Sequence, residues 1–350
     1  MAIRLTSLSD LATLGFDEII DVRSPAEWEE DHVPGAINLP VLDNDERAVV
    51  GTIYVQESPF RARKVGAALV AKNAARHLEG PLADKTGGWK PLIYCWRGGQ
   101  RSNSFASILT QVGWRADVVE GGYKTYRRLV VEAVHERDVP APVILLDGNT
   151  GSAKTELLGL LADRGVQVID LEGMANHRGS LFGHRVGGQP SQKAFEGRLA
   201  AALAALDPAR PVVIEAESSK VGDRSLPPPL WKAMRAAPRL HVVAPVAARA
   251  RYLARAYADL TADRAALARV IDLLRPLQPV EVIHRWQALA AAGENEVLAG
   301  ELMQRHYDPR YAKQRERAEG AVAEDFETEG LEPDDLARLA DRLAARVAKG

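Results

Sequence analysis

Two short glycine-containing loops, each between an apolar strand and a helical segment, constrain the fold of this 350-residue chain more than any other feature. The first follows apolar residues 91–94, and the second follows apolar residues 143–146. In strand–loop–helix order, backbone N–H groups and the helix N-terminus point into the loop, which therefore attracts anions. Further apolar strands alternate with helical segments, at residues 166–170, 212–215 and 240–243. This alternation predicts an α/β protein with parallel sheets and helices on both faces.

The sequence RDVPAP at residues 137–142 brings two prolines together, as is typical of a domain boundary. We therefore expect a first domain at residues 1–138 and a second α/β domain, with the later loop, at 139–245. Residues 246–350 have helical apolar spacing rich in Ala, Leu and Arg, which predicts a helical C-terminal region.

Composition narrows the classes of function. A formal net charge of -2 excludes a generally basic nucleic-acid binder, so any RNA contact must come from a local patch. A single cysteine cannot form an internal disulfide, which fits a reducing compartment. The first residues lack a signal-peptide pattern, and no run of about 18 apolar residues occurs. We expect a cytoplasmic protein without membrane contact.

The first loop carries the only cysteine. Its anion-binding residues are Cys95, Trp96, Arg97, Gly98, Gly99, Gln100, Arg101 and Ser102. The helix N-terminus and the two arginines favour the thiolate of Cys95, which would make it a nucleophile. A lone cysteine is more often a small buried apolar residue, but the loop context favours catalysis here.

The second loop matches a Walker A pattern. Its phosphate-binding residues are Gly148, Asn149, Thr150, Gly151, Ser152, Ala153, Lys154 and Thr155. Backbone amides would hold phosphates, Lys154 would reach their oxygens, and Thr155 is placed to ligate Mg²⁺. Ala153 stands where the pattern has glycine, and this puts strict nucleotide use in question. No residue set is identified as a dedicated metal site.

Several polar residues elsewhere are candidates to support the second loop. Glu215 ends an apolar strand, where a carboxylate can assist a metal, and Glu217 is the less suitable choice. Asn176, His177 and Arg178 lie in a polar loop that is expected to contact ligand, although such a loop can also serve only to cap a helix.

The N-terminal motifs DVRSPAEW and HVPGAINLP, with the cysteine loop, resemble the rhodanese family over residues 4–132. In this resemblance Asp21 and Arg23 support the loop. The Cys-x5-Arg spacing, however, also resembles that of dual-specificity phosphatases, which generally place His where this chain has Tyr94. A phosphatase or sulfurtransferase fused to a nucleotide-binding domain is therefore an alternative, and a nonenzymatic anion-binding module is another.

A longer series of motifs resembles the tRNA 2-selenouridine synthase family over residues 4–255. The series includes GTIYVQESPFRARKVGAALVAKN, YCWRGGQRS, EGGYKTYRR, GNTGSAKT and LEGMANHRGS. The resemblance implies a rhodanese-like domain followed by a P-loop domain. It implies an enzyme that replaces sulfur by selenium in wobble 2-thiouridine, in the tRNA anticodon region, through an S-geranyl intermediate.

The same resemblance implies geranyl diphosphate and selenophosphate as cosubstrates. Cys95 would act in the selenation step, and Gly66 matches a glycine associated with prenyl transfer, although its residue type equally suits helix packing. A prenyl diphosphate presents to the second loop the same oxygens as ATP, so both ligands stay open, with the diphosphate preferred.

The later helical region is the expected tRNA contact. Residues 225–320 hold 15 Lys and Arg against 10 Asp and Glu, a modest excess that favours phosphates. Arg249, Arg251 and Arg255, interleaved with Tyr252 and Tyr257, form the candidate basic–aromatic stripe. A solvated helix face is the alternative explanation.

Overall fold

The computed structural model describes residues 1–316 and 323–349, and the chain forms two compact units. The first unit is Met1–Arg137 with Pro190–Ala205, and the second is Asp138–Gln189 with Leu206–Gly350. The strands are β1 Ala2–Ile3, β2 Glu18–Asp21, β3 Ile37–Asn38, β4 Pro91–Tyr94, β5 Asp117–Val119, β6 Val143–Gly148, β7 Gln167–Ile169, β8 Val212–Glu215, β9 Lys220–Val221, β10 Arg224–Ser225, β11 Arg239–Val243 and β12 Ala323–Glu327.

The helices connect these strands. They are α1 Asp10–Thr13, α2 Pro25–Glu30, α3 Asn44–Gln56, α4 Pro59–Glu79, α5 Gln100–Val112, α6 Tyr123–Val131, α7 Lys154–Asp163, α8 Leu171–Ala175, α9 Gln192–Ala204, α10 Pro228–Ala236, α11 Val246–Ala256, α12 Ala258–Ala262, α13 Arg264–Asp272, α14 Val280–Ala292, α15 Asn295–Leu302, α16 Asp308–Glu316 and α17 Pro333–Val347. Short π-helical segments occupy Glu132–Glu136 and Met303–Tyr307, and a 3₁₀ turn occupies Arg275–Leu277.

The first unit is built on a parallel sheet in the order β1-β5-β4-β2-β3. All four residues of β4 are buried, as expected for a parallel strand covered on both faces. Helix α5 follows β4 and ends at Gly113, whose left-handed φ of 113° lets its N–H reach the last helical carbonyls. The residues that follow β4 therefore lie at the carboxyl edge of the sheet.

The second unit has a parallel sheet in the order β12-β11-β6-β8-β7. The C-terminal region is helical, as predicted, and it also supplies the edge strand β12. Helix α17 also buries Leu336, Leu339 and Leu343 in the core of this sheet. A five-residue strand rich in acidic residues gives little apolar signal, so the sequence pattern could not reveal it. Residues 317–322 and 350 of the predicted region lie outside the described residues.

Helix α9 belongs to the first unit, although it lies within the residues expected to form the second domain. Phe195 and Leu199 of α9 are fully buried. Glu196 accepts hydrogen bonds from Arg127 and, at 3.1 Å, pairs with the ring of His135. The return of the chain to the first unit at Pro190–Ala205 depends on tertiary contacts, which local sequence patterns do not specify.

Helices α13, α14 and α15 of the second unit contribute to a separate apolar cluster, which includes Ile271, Ile283 and Trp286. Within residues 1–316 and 323–349, none of the helices combines the length and the hydrophobicity that a membrane span requires.

Candidate active sites

Cys95 lies directly after β4, at the first position of the loop that leads into α5. Its side chain is buried, with 3% exposed. The Gly99 N–H donates a hydrogen bond to Sγ at 3.3 Å, and the Ser102 hydroxyl lies 3.2 Å from the same sulfur. The sulfur therefore lies inside the loop, beside the N-terminus of α5, as the sequence order predicted.

The cysteine loop packs against Gly122, a residue that motif reasoning had not placed at the site. Gly98 and Gly122 both have left-handed φ angles, of 64° and 59°. A Cβ on Gly122 would lie 2.2 Å from the Cys95 carbonyl oxygen, and one on Gly98 would lie 2.7 Å from that of Val119. The backbone of residues 121–124 therefore packs directly against the loop, and the Tyr123 N–H donates to the Cys95 carbonyl at 2.8 Å.

The two loop arginines have different surroundings. Arg101 donates to both oxygens of Glu27, at 2.7 and 3.3 Å, whereas Arg97 is exposed. Burial would raise the pKa of Glu27, but the hydrogen bond and charge of Arg101 hold that pKa below its ordinary value. Arg101 is thus fixed by Glu27, and Arg97 is the arginine available to an incoming anion. Trp96 is half-buried and Gln100 is exposed.

Asp21 and Arg23 form a buried ion pair in the first unit, with 2.6 Å between Arg23 Nη2 and Asp21 Oδ2. The Arg23 guanidinium lies 4.0 Å from the centre of the Tyr123 ring, which stacks on Trp96. The pair therefore supports the loop through aromatic contacts. Gly66 is elsewhere, buried on α4, where a Cβ would lie 3.5 Å from Val50 of α3.

The phosphate loop joins β6 to α7, and Lys154 is the first residue of the helix. Lys154 Nζ donates to the Gly148 carbonyl at 3.0 Å. Burial disfavours its charged form, yet Tyr311 and nearby carboxylates hold the pKa of Lys154 above its ordinary value. Ala153 has a left-handed φ of 59°, which costs about 1–2 kcal/mol for a residue with a side chain. Its methyl group packs in the apolar core.

Carboxylates face the phosphate loop, and they are not the ones the sequence favoured. Glu215 is buried and accepts the Glu172 N–H at 2.7 Å, and it does not line the cavity. Glu217, judged less suitable, does line it together with Glu172, which sequence reasoning missed. The Thr155 hydroxyl donates to Glu172 at 2.9 Å.

The two cavity glutamates lie close together because Gly179 admits them. A Cβ on Gly179, whose φ is 67°, would lie 2.6 Å from Glu217 Oε1 and 2.7 Å from Glu172 Oε1. Burial and, after it, the negative charge of Glu172 raise the pKa of Glu217 to about 8. Burial also raises the pKa of Glu215 well above its ordinary value.

The polar loop after α8 contributes only part of what was predicted. Arg178 lines the cavity, pairs with Asp259 at 2.9 Å, and lies 4.7 Å from the centre of the Tyr257 ring. Asn176 instead donates to the carbonyls of Val186 and Gly188. His177 is buried and its Nδ1 accepts the Gly179 N–H. These two residues hold the shape of the loop.

The cavity above the phosphate loop has a volume of about 370 Å³. It adjoins a narrower pocket of about 70 Å³, and the two share Thr150, Ser180, Leu253 and Tyr257. The narrow pocket is lined mainly by apolar side chains, among them Phe182, Leu267, Leu298, Ala299 and Leu302. The second unit thus offers a polar phosphate cradle beside an apolar recess.

The predicted arginine stripe does not form one surface. Arg249 is buried, binds Asp308 with 2.8 Å between Nη2 and Oδ2, and donates to the Thr150 carbonyl. This position corrects its assignment as a surface residue. Arg255 is exposed and pairs with Glu332, and Arg251 is exposed. A buried guanidinium follows the same helical spacing as its exposed neighbours, so the sequence did not distinguish them.

Comparisons with known proteins match two successive parts of the chain. Residues 6–129 match the model of the rhodanese-like domain, and residues 141–270 match that of the tRNA 2-selenouridine synthase AAA domain. The chain is 38% identical over 259 residues to a tRNA 2-selenouridine synthase of Aeromonas salmonicida (strain A449). That alignment spans 73% of this chain and 69% of the relative.

Two solved structures are similar to parts of the chain. The N-terminal domain of a Clostridium difficile 630 protein is 36% identical, with a TM-score of 0.32, and the match covers 38% of this chain and all of that domain. A rhodanese-related protein from Thermoplasma volcanium is 19% identical, with a TM-score of 0.22, over 36% of this chain and 88% of its own.

Fold and sites together define an α/β protein that joins a rhodanese-like cysteine loop to a phosphate-binding loop. Within that class, the extent and identity of the match to the Aeromonas relative assign the family. The chain belongs to the tRNA 2-selenouridine synthase family.

Proposed function

We propose that this protein is a tRNA 2-selenouridine synthase that exchanges sulfur for selenium in wobble 2-thiouridine, with geranyl diphosphate and selenophosphate as cosubstrates. One observation carries the choice of a prenyl diphosphate over ATP: the phosphate cradle adjoins an apolar recess. A nucleotide would bring a polar sugar toward such a recess, whereas a prenyl chain gains about 0.8 kcal/mol for each buried CH₂ group.

In the prenyl-transfer step, the thiocarbonyl sulfur attacks the first carbon of the geranyl chain, a C–S bond forms, and the C–O bond to diphosphate breaks. The leaving group carries growing negative charge. Lys154 and the loop amides would stabilise that charge, because charge-assisted hydrogen bonds are among the strongest in a shielded site. Arg178 and Arg185 line the cavity, and each has a buried N–H without a partner among the described residues. They would bind the remaining phosphate oxygens.

The cavity also suits a magnesium ion. The Thr155 hydroxyl and the Glu172 carboxylate are in contact, and hard oxygen ligands of this kind are those that Mg²⁺ prefers. Bound there, the ion would neutralise part of the diphosphate charge.

The selenation step is assigned to the first unit. S-alkylation makes the sulfur a leaving group. The selenium of selenophosphate bonds to the ring carbon, the C–S bond breaks and geranylthiolate departs, and water then cleaves the P–Se bond to release phosphate. Cys95 would contact the bound selenium donor in this step, and the loop amides with exposed Arg97 would bind the phosphate of selenophosphate.

Mass analysis of tRNA carrying wobble 2-thiouridine tests the proposal. Incubation with the protein, geranyl diphosphate and selenophosphate should yield the S-geranyl and selenouridine masses. Ala299→Phe, which fills only the apolar recess, should lower geranyl transfer at least about tenfold, while Ala292→Phe on the exposed end of α14 should not. Absence of both masses, with release of phosphate from aryl phosphates, would favour the phosphatase alternative.

A further inference from the structure

Tyr54 and Phe60 are exceptional surface residues. Their exposed fractions are 58% and 70%, and every other Phe, Trp or Tyr of the chain is buried or half-buried. Tyr54 lies in the last turn of α3, and Phe60 is the second residue of α4. Exposure of both rings forgoes the free energy of burying apolar surface and adds no contact that stabilises the fold. We therefore consider a binding role for these two side chains.

Three exposed cations lie on α4, the helix that carries Phe60. Residues 58–78 contain five Lys and Arg and no Asp or Glu. Arg63, Lys64 and Lys72 are exposed, and in the part of the chain that the structure describes none of them forms an ion pair. The acidic residues of this helix pair lie in the first turn of α3 and at the end of α4, apart from Glu57, which is paired with Arg61.

Helical geometry places two of the three cations next to the Phe60 ring. Arg63 and Lys64 follow Phe60 by three and four residues, so they neighbour it on one face of α4. Lys72 lies two turns beyond Lys64, about 12 Å along the helix. We call Tyr54, Phe60, Arg63, Lys64 and Lys72 the α3–α4 surface.

The α3–α4 surface stands on a rigid base. Helix α3 packs against α4, where Gly66 lets Val50 approach closely. The buried Asn73 amide donates to the Val41 carbonyl at 3.1 Å and to Glu46 at 2.6 Å. Side chains on such a base keep their spacing when a ligand arrives, which reduces the ordering cost of binding.

We propose that the α3–α4 surface binds tRNA, with Phe60 and Tyr54 stacking on unpaired bases and the three cations contacting phosphates. The proposal rests on the action on tRNA argued above. A chain with net charge -2 needs a local cationic site for a polyanion. Aromatic rings among cations match the chemistry of single-stranded RNA, which offers stacking faces and phosphates together. A second copy of this chain, with a net charge of -2, would present a much lower density of negative charge than tRNA does.

Filter binding of unmodified tRNA to the full chain tests the electrostatic part. Arg63→Glu/Lys64→Glu/Lys72→Glu should weaken binding at least about tenfold and reduce the slope of log affinity against log salt by about 2. Arg4→Glu/Lys90→Glu/Arg115→Glu has the same change in net charge on other exposed positions and should leave that slope nearly unchanged. Circular dichroism confirms that both variants are folded.

Phe60→Ala/Tyr54→Ala tests the stacking part. It should weaken tRNA binding at least about 30-fold without changing the salt slope. Equal binding by wild type and both α3–α4 variants would overturn the inference while leaving the proposed function intact, whereas a wild type that binds no tRNA would overturn both. Binding to phosphatidylglycerol vesicles that is lost in the variants, with tRNA binding unchanged, would assign the surface to a membrane instead.

Discussion

At the scale of single residues, the cysteine loop depends on a glycine 27 positions away. Gly122→Ala would place a methyl group 2.2 Å from the Cys95 carbonyl oxygen at a left-handed φ. We expect it to destabilise the protein by more than about 2 kcal/mol and to abolish selenation. Urea unfolding and product mass measure the two effects. Gly99→Ala is the control, because a Cβ there meets no atom within 4 Å; equal effects of both changes would contradict the loop geometry.

Glu217 gives a pH signature at the same scale. Its pKa is about 8 in the folded protein against an ordinary 4.5, so between these values the folded state keeps a proton that the unfolded state loses. Stability then falls as pH rises through this window, by up to roughly 1.4 kcal/mol per pH unit. Glu217→Gln should flatten this dependence in urea unfolding from pH 5 to 8. Parallel curves for variant and wild type would contradict the assignment.

Residues of a site could be predicted from the sequence where they are contiguous. The cysteine loop and the phosphate loop are unbroken segments between a strand and a helix, and the structure places them so. Glu172 and Glu217 come from different segments and meet only because Gly179 has no side chain. Their proximity is set by the fold, and this is why the sequence favoured Glu215.

At the scale of elements, the apolar strands could be predicted from the sequence, whereas the positions of β12 and α9 could not. Strands β4, β6 and β8 are buried and apolar, a signal that single-sequence periodicity detects. Edge strand β12 exposes four of its five residues, and α9 joins a unit far from it in sequence. Both depend on partners that local patterns do not specify.

Glu196 is one of the residues that hold α9 against the first unit. Glu196→Ala would leave Arg127 without its partner at a mostly buried position, and we expect a loss of about 2–4 kcal/mol of unfolding free energy. Calorimetry should show the loss in the transition of the first unit. Glu132→Ala breaks the exposed pair with Arg137 and should cost less than about 1 kcal/mol. A Glu196 effect no larger than this control would contradict the packing of α9.

At the scale of the whole molecule, we assign the two proposed reactions to two different units. The first unit holds a cysteine in an anion loop, and the second holds a phosphate cradle beside an apolar recess. Either feature alone is common among unrelated proteins, since site chemistry and not fold decides function. Their combination in one chain is what a sequential alkylation and selenation would require.

The most direct test supplies the intermediate. Wild type, Cys95→Ser and Lys154→Ala are tested in two separate reactions. In the first, each receives 2-thiouridine tRNA with geranyl diphosphate, and in the second, each receives S-geranyl tRNA with selenophosphate. The masses of the products are measured. Cys95→Ser should still geranylate but form no selenouridine, and Lys154→Ala should convert S-geranyl tRNA while failing to make it. Two results would contradict the assignment of one reaction to each unit. One is selenouridine formed by Cys95→Ser at the wild-type rate, and the other is a Lys154→Ala variant that cannot convert supplied S-geranyl tRNA.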